Sequence, residues 1–205
     1  MLGEIALEFM RGRKTVGIDE AGRGPLAGPL SVGLVLIKHH KKLDFSGLRD
    51  SKKLTERSRE KWFLKIKDWE NNGAIISAHV FVSAKVIDKK GLSYASRYAV
   101  QKLLKKVLVN SKDVHVLLDA GLSAPKEFTQ ESLVKGDEKI PAISLASIVA
   151  KVKRDQFMVR ISKKYPMYKF DIHKGYGTKE HIAIIKKRGI TNLHRMRFLK
   201  NLKIG

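Results

Sequence analysis

Residues 16–37, VGIDEAGRGPLAGPLSVGLVLI, constrain this chain more than any other stretch. Two apolar runs, one led by Val16 and Ile18 and one from Leu30 to Ile37, flank a cluster of unusual residues. That cluster is Asp19, Glu20, Gly22, Arg23, Gly24 and Pro25. The second run has the length of a buried or half-buried strand. Breaking an apolar run with two carboxylates is costly unless they are paired, hydrogen-bonded or metal-bound. Glycines just behind them let backbone amides approach a ligand closely. The stretch therefore reads as a strand, an acidic site, an amide-lined loop and a second strand. A strand end that merely turns accounts for the same residues equally well. Two nucleotide-binding readings fail: no Gly-Lys-Ser/Thr follows, and the glycines lack the order that opens a helix in a dinucleotide fold.

With 205 residues, the chain is expected to fold as one domain with a small appendage. The N-terminus, MLGEIALEFM, has an acidic start and no long apolar core, which argues against a signal peptide. No run of 18 apolar residues occurs, so no membrane span is expected. The absence of cysteine excludes disulfides and thiolate metal sites and fits a cytoplasmic location. Lys and Arg total 42 against 20 Asp and Glu, a net charge of +22. Such an excess points to a polyanionic partner, with a lysine-rich solvated surface as the plainer explanation.

Strands are expected near 15–20, 30–37, 74–82 and 114–118, with the short Pro25–Pro29 link making the first two antiparallel neighbours. A short strand is also expected over Ile140 to Ile143, a linking segment over 126–134 and a turn at Asp88 to Gly91. Leu2, Ile5, Leu7 and Phe9 are expected to form a lead-in that docks on the core. Helices are expected from Thr55 as cap to about Trp69, from about Ser93 to Val109, and from Ser144 to about Lys163. Another is expected over Lys179 to Arg188, capped by Thr178 and ended by Gly189. Trp62 and Trp69 read as core residues on an apolar stripe, and His79 as structural. Residues 165–178, YPMYKFDIHKGYGT, interleave aromatic and basic side chains. That mixture suits stacking on sugars or bases and contact with phosphates, or a loop packed by its own aromatics.

Asp19, Glu20, Asp119 and Asp137 stand out in a chain poor in acids. Asp119 ends the strand VHVLL, where α/β folds commonly place chemistry, and Asp137 lies in an acidic turn. Asp155 ranks below Asp137 because Arg154 precedes it and offers local pairing. Phosphoryl hydrolysis needs an activated water and a stabilised leaving oxygen, and two divalent ions held by carboxylates supply both. Oxygen ligands without cysteine favour magnesium or manganese over zinc. Asp19 and Glu20 are adjacent, so their side chains should point to opposite faces; if both serve the site, the strand must twist or bulge there, or one must contribute through its backbone carbonyl.

Several motifs together carry a resemblance to a known family. They are Gly17-Ile18-Asp19-Glu20-Ala21-Gly22-Arg23-Gly24-Pro25, Asp50-Ser51-Lys52-Lys53-Leu54, Leu118-Asp119-Ala120-Gly121 and Lys135-Gly136-Asp137. Ala146-Ser147-Ile148-Val149-Ala150-Lys151-Val152 with Arg154-Asp155, His173-Lys174-Gly175-Tyr176-Gly177-Thr178, and His194-Arg195 complete the set. In this order, over about residues 14–198, the chain resembles ribonuclease HII.

The resemblance implies a ribonuclease H-like α/β fold: a five-stranded mixed sheet, three strands antiparallel and two parallel, flanked by helices. It implies a catalytic core over 1–164 and a basic, aromatic C-terminal helical segment over 165–205 that contributes to substrate binding. The implied activity is hydrolysis of the RNA strand of RNA/DNA hybrids and cutting 5′ of single ribonucleotides in duplex DNA. The products carry 3′-hydroxyl and 5′-phosphate ends. Asp19, Glu20, Asp119 and Asp137 would hold two Mg2+ or Mn2+ ions. Gly22, Arg23 and Gly24 would read the ribose 2′-hydroxyl, and Tyr176 would touch that ribose. Ser51, Lys52, Lys53, Lys151, His173 and Lys174 would contact phosphate or support the site. A monomer needing no protein partner is expected, since no clamp-binding extension is recognisable. Ribonuclease HIII is the nearest alternative, but only some 15 residues precede the first strand, where that family carries an extra domain. A non-catalytic basic binding protein, or a structural RNA-associated one, would leave four acids facing a polyanion.

Overall fold

The computed structural model describes residues 14–48, 51, 53–107 and 110–200. The expected lead-in residues Leu2, Ile5, Leu7 and Phe9 lie outside the described residues, as do Asp50 and Lys52. The fold is built around β1 (Lys14–Ala21), the central strand. It pairs antiparallel with β2 (Leu30–Ile37), which pairs antiparallel with β3 (Ile75–Val82). On its other side β1 runs parallel to β4 (Val114–Asp119), and β4 runs parallel to β5 (Gln130–Leu133). The order β3-β2-β1-β4-β5 makes the five-stranded mixed sheet of a ribonuclease H-like fold.

A central strand is covered on both faces, so β1 is buried from Thr15 to Asp19 and β2 along its whole length. Val16 and Ile18 belong to a core closed by α3 (Leu92–Val107) through Ala95, Ala99 and Leu103. The opposite face is covered by α1 (Glu56–Asn71) and α5 (Pro141–Ser162), with Ile66, Trp69, Leu117 and Ile143 in its core. Burying each aliphatic side chain fully is worth roughly 1.5–3 kcal/mol, and both faces contribute many. Between α1 and α3 lies α2 (Ala84–Lys90).

Two glycines set how deeply α5 sits. A Cβ on Gly17 would overlap the Ala142 carbonyl and come within 2.5 Å of Ile143 N. A Cβ on Gly33 would overlap Ala146 O and lie 2.9 Å from Ala150 N. The helix backbone therefore rests directly on β1 and β2, a close approach that only glycine permits.

Three sequence expectations are corrected. Ile140 to Ile143 is not a strand: Pro141 opens α5, at the first-turn position where a missing N–H costs nothing. The run looks strand-like because α5 is buried nearly all round over its first ten residues. The fifth strand instead lies within the presumed link, as Gln130–Leu133. Its polar, half-exposed sequence is that of a short edge strand. Asp88 to Lys90 belongs to α2, capped by the Ser83 hydroxyl at Val86 N. The helix over Lys179 to Arg188 (α7) is capped by Thr178, as expected. It follows α4 (Gly136–Lys139) and α6 (Phe170–His173) in the numbering, and α8 (Met196–Leu199) ends the described chain. Among the described residues, no helix is long and apolar enough to cross a membrane.

Candidate active site

The carboxyl ends of β1 and β4 lie side by side, because Ile18 pairs with Leu118 in parallel register. Asp19 and Asp119 are the next residue on each strand, and both fall on the face that α5 covers. Glu20 falls on the face of Ile18. The β1–β2 register runs uninterrupted through Asp19 with Gly33 and Glu20 with Val32, so β1 reaches the site without a bulge against β2. Both acids reach one cleft because it opens across the end of the strand. That cleft, about 300 Å3, is lined by Asp19, Glu20 and Asp119 together with Gly22, Arg23 and Gly24. Ser51, Lys151 and Tyr176 complete the wall from other parts of the chain.

Asp19 is 2 % exposed. Its Oδ1 accepts the Glu20 N–H at 2.7 Å, and its Oδ2 accepts no hydrogen bond from any described residue. Burial, then the charges of Glu20 and Asp119, push its carboxyl well above the usual carboxylate range. The Ser147 hydroxyl and the Glu20 amide oppose that rise. Glu20 Oε1 takes the Arg23 guanidinium at 3.0 Å. Asp119 Oδ1 accepts the Gly136 N–H at 3.0 Å. Asp137 is the next residue in the chain; it is 3 % exposed and does not line the cleft. Its carbonyl accepts a short hydrogen bond from Ser144 Oγ on α5.

The buried Oδ2 of Asp19 and an all-oxygen donor set fit a hard divalent cation. Among the described residues, however, no three His, Asp or Glu side chains are gathered closely enough to hold one ion. Glu20 is turned to Arg23 in this arrangement.

The other candidate residues divide. Lys151 pairs with Asp155 at 2.8 Å, and its Nζ stands 5.9 Å from the centre of the Tyr176 ring. Local pairing of Arg154 with Asp155 is thus replaced by Lys151–Asp155. Ser51 Oγ and Ser147 Oγ are 2.6 Å apart. Lys53 pairs with Glu138 at 2.9 Å, away from the cleft lining. His173 is buried, with Nε2 against the Tyr168 carbonyl at 2.7 Å. Lys174 Nζ donates to the Asp171 carbonyl, so neither basic residue of that pair lines the cleft.

Two arginines that sequence reasoning did not single out hold the glycine loop from below. Arg154 and Arg195 are both 0 % exposed. Arg195 donates to the carbonyls of Gly22, Arg23 and Gly28 at 2.7, 2.8 and 3.0 Å. Arg154 donates to Ala27 and Pro29, each at 3.1 Å. Tying carbonyls inward fixes the peptide planes of the loop. Gly22, at φ 90°, completes it: a Cβ there would collide with the Arg154 side chain. Burial lowers both arginines, Arg195 to about 9, yet leaves them positively charged beneath the loop at neutral pH.

Comparison with known proteins places this site in a family. Over 90% of this chain and 94% of its own length, the RNase HII in the PCNA:RNase HII complex from Archaeoglobus fulgidus aligns with TM-score 0.68 and 25% identity. That complex overturns the expectation that no protein partner is required. The expectation rested on a missing extension in the sequence, and a missing motif does not describe a surface. The ribonuclease HII of Caldicellulosiruptor bescii is 43% identical over 187 residues, spanning 91% of this chain and 86% of that protein. That of Acetivibrio thermocellus is 45% identical over 196 residues, 94% and 73% of the two. The sequence profile of the family matches residues 16–201, from the strand that carries the acid pair to beyond α8. With its motifs in the same order on the same fold, the chain belongs to the ribonuclease HII family.

Proposed function

We propose that the protein is an endoribonuclease that hydrolyses the RNA strand of RNA/DNA hybrids. It also cuts duplex DNA on the 5′ side of a single embedded ribonucleotide, leaving 3′-hydroxyl and 5′-phosphate ends. The observation that carries this reading is the juxtaposition of three acids with the Gly22–Gly24 loop and Tyr176 in one cleft. A generic phosphodiesterase needs the acids alone. A site that reads one ribose also needs polar groups beside the attacked phosphate that can bind a 2′-hydroxyl.

Asp19, Glu20, Asp119 and Asp137 are the residues that would hold Mg2+ or Mn2+. Bound there, such ions supply the charge that makes water nucleophilic and stabilises the leaving 3′-oxygen. Glu20 must exchange Arg23 for that role, which frees the guanidinium for the substrate. Amides of the Gly22–Gly24 loop, oriented by Arg195, face the 2′-hydroxyl. The half-exposed Tyr176 ring lies against the ribose and its neighbour. Ser51 and Lys151 contact phosphate at the cleft, and Lys52 and Lys53 are further phosphate contacts in this reading. His173 and Lys174 act behind Tyr176 by fixing its loop. In this reading residues 1–164 form the catalytic core, and 165–205 supply Tyr176 and basic contacts. A cytoplasmic location belongs to the same proposal. So does a protein partner, as the Archaeoglobus fulgidus relative is found with PCNA.

The test is cleavage of a four-ribonucleotide hybrid by wild-type protein, Asp19→Asn and Asp119→Asn, in EDTA, Mg2+ and Mn2+. Wild-type protein should cut only with a divalent ion, and neither variant should cut while both still bind the duplex. Wild-type cleavage in EDTA, or near wild-type rates in Asp19→Asn, would overturn the assignment.

A further inference from the structure

Behind Tyr176, three histidines from separate segments are packed together in the small C-terminal core. His173, His181 and His194 are 7 %, 0 % and 3 % exposed. The rings of His173 and His181 stack at 4.1 Å and 18°, and His194 lies beside His181. A neutral imidazole carries one donor and one acceptor, so its neighbours decide which nitrogen holds the proton.

Here the neighbours leave one solution. The Thr191 N–H donates to His194 Nδ1 at 2.9 Å, so the His194 proton is on Nε2. That Nε2 stands 3.2 Å from His181 Nε2, which must then accept. The His181 proton is therefore on Nδ1 and points at the Tyr176 carbonyl, 2.8 Å away. His173 is fixed in the same way: its Nδ1 accepts the Gly175 N–H at 3.1 Å, leaving Nε2–H for Tyr168 O.

We infer that His181 and His194 are positioning residues: a one-way hydrogen-bond chain from Thr191 through both rings to the Tyr176 carbonyl sets where Tyr176 stands. This rests on the reading of Tyr176 as a ribose contact. The chain also reaches the glycine loop. His194 forms a β-bridge with Ala27, Gly28 N–H donates to Leu193 O at 2.8 Å, and Arg195 N–H donates to Leu26 O at 2.7 Å. Gly175 O in turn receives the amides of Leu26 and Ala27. The same cluster thus ties both elements that face the ribose to each other. Adding a proton to either ring would set donor against donor at one link. Burial lowers both His181 and His194 to about 4, which keeps them neutral at pH 7.

The direct test needs no variant of the cluster in its first arm. Two-bond 1H–15N NMR of 15N-histidine protein near pH 7 should show His181 as the Nδ1–H tautomer and His194 as the Nε2–H tautomer. The opposite tautomer at either position, or an imidazolium, would overturn the chain. The second arm compares His181→Phe, which keeps the ring and loses both bonds, with His181→Asn, which restores a donor near Nδ1. Single-turnover cleavage of a one-ribonucleotide duplex should fall roughly 10- to 100-fold in His181→Phe, as expected for a misplaced contact group. Duplex affinity should change less than about threefold, since phosphate contacts dominate it. His181→Asn should recover most of the rate. Equal rates in wild type and His181→Phe, or equal losses in Phe and Asn, would overturn the positioning role. Tyr176→Ala run alongside separates the two claims. If that variant cuts normally, the reading of Tyr176 fails while the tautomer result still judges the chain.

Discussion

Asp19→Asn should make the folded protein more stable while abolishing cleavage. The Asp19 carboxylate is buried, with Oδ2 free of hydrogen bonds from the described residues and with Glu20 and Asp119 adding like charge. An asparagine keeps Oδ1 for the Glu20 N–H and presents an amide to the carboxylates that repel aspartate. Leaving a buried polar group unsatisfied costs roughly 1–3 kcal/mol, and more for a charge. Relief of that order should raise Tm by roughly 2–12 °C, at about 2–4 °C per kcal/mol for a chain of this size. The pH dependence has a definite sign. Because the folded carboxyl is raised, its contribution is fully favourable below the unfolded value and is lost as pH rises through the folded one. The variant lacks that loss, so its advantage should be small near pH 4 and grow toward pH 8. The assay is thermal unfolding of both proteins across that range in EDTA, with Mg2+ or Mn2+ added in a parallel series. Divalent ion should stabilise the wild type more than the variant. A variant less stable than wild type in EDTA at neutral pH would refute the claim that this carboxylate is strained by burial and like charge.

Other outcomes follow from particular contacts. Gly17→Ala should destabilise by roughly 1–3 kcal/mol or more, because α5 must move off β1; an unchanged urea midpoint would show that the helix gives way freely. Arg195→Leu should leave the carbonyls of Gly22, Arg23 and Gly28 without their donor, at roughly 1–3 kcal/mol each, offset in part by removing a desolvated charge. Its cleavage should fall more than its duplex affinity, measured by anisotropy beside single-turnover rates. Tyr176→Phe should cut one-ribonucleotide duplex at a rate between wild type and Tyr176→Ala, because it keeps stacking and loses the hydroxyl. With a net charge of +22, duplex affinity should fall steeply with salt, and deleting residues 196–205 should reduce that slope without moving the cut.

The sheet was legible where local chemistry and tertiary role agree. The strand Leu30–Ile37 and the helix Lys179–Arg188 follow directly from an apolar run and from a Thr cap with a Gly stop. β5 was not legible because an edge strand needs no apolar run, and QESL has none. The start of α5 misled for the opposite reason: a helix buried all round has no amphipathic period, so Ile140 to Ile143 resembles a strand. In the site, the acid pair announced itself because carboxylates in an apolar run are rare. The parallel register that puts Asp119 beside Asp19 is a long-range fact. Arg154 and Arg195 could not be recognised as buried, since a basic chain hides two buried arginines among many exposed cations. Their one signal was position, within the motifs that also hold Lys151 and His194. The cluster of His173, His181 and His194 was equally hidden, because its three members meet only after the C-terminal segment folds back on Ala27.

In the proposed function, the cleft reads a single ribose beside the phosphate it attacks. Single-turnover digestion of an end-labelled DNA duplex with one ribonucleotide, beside the same duplex entirely in DNA, tests it directly when the cut and its end groups are mapped. One incision is expected on the 5′ side of the ribonucleotide, with 3′-hydroxyl and 5′-phosphate ends, and no cleavage of the all-DNA duplex. A one-ribonucleotide duplex left intact while a four-ribonucleotide tract is cut, or incision of both duplexes alike, would contradict it.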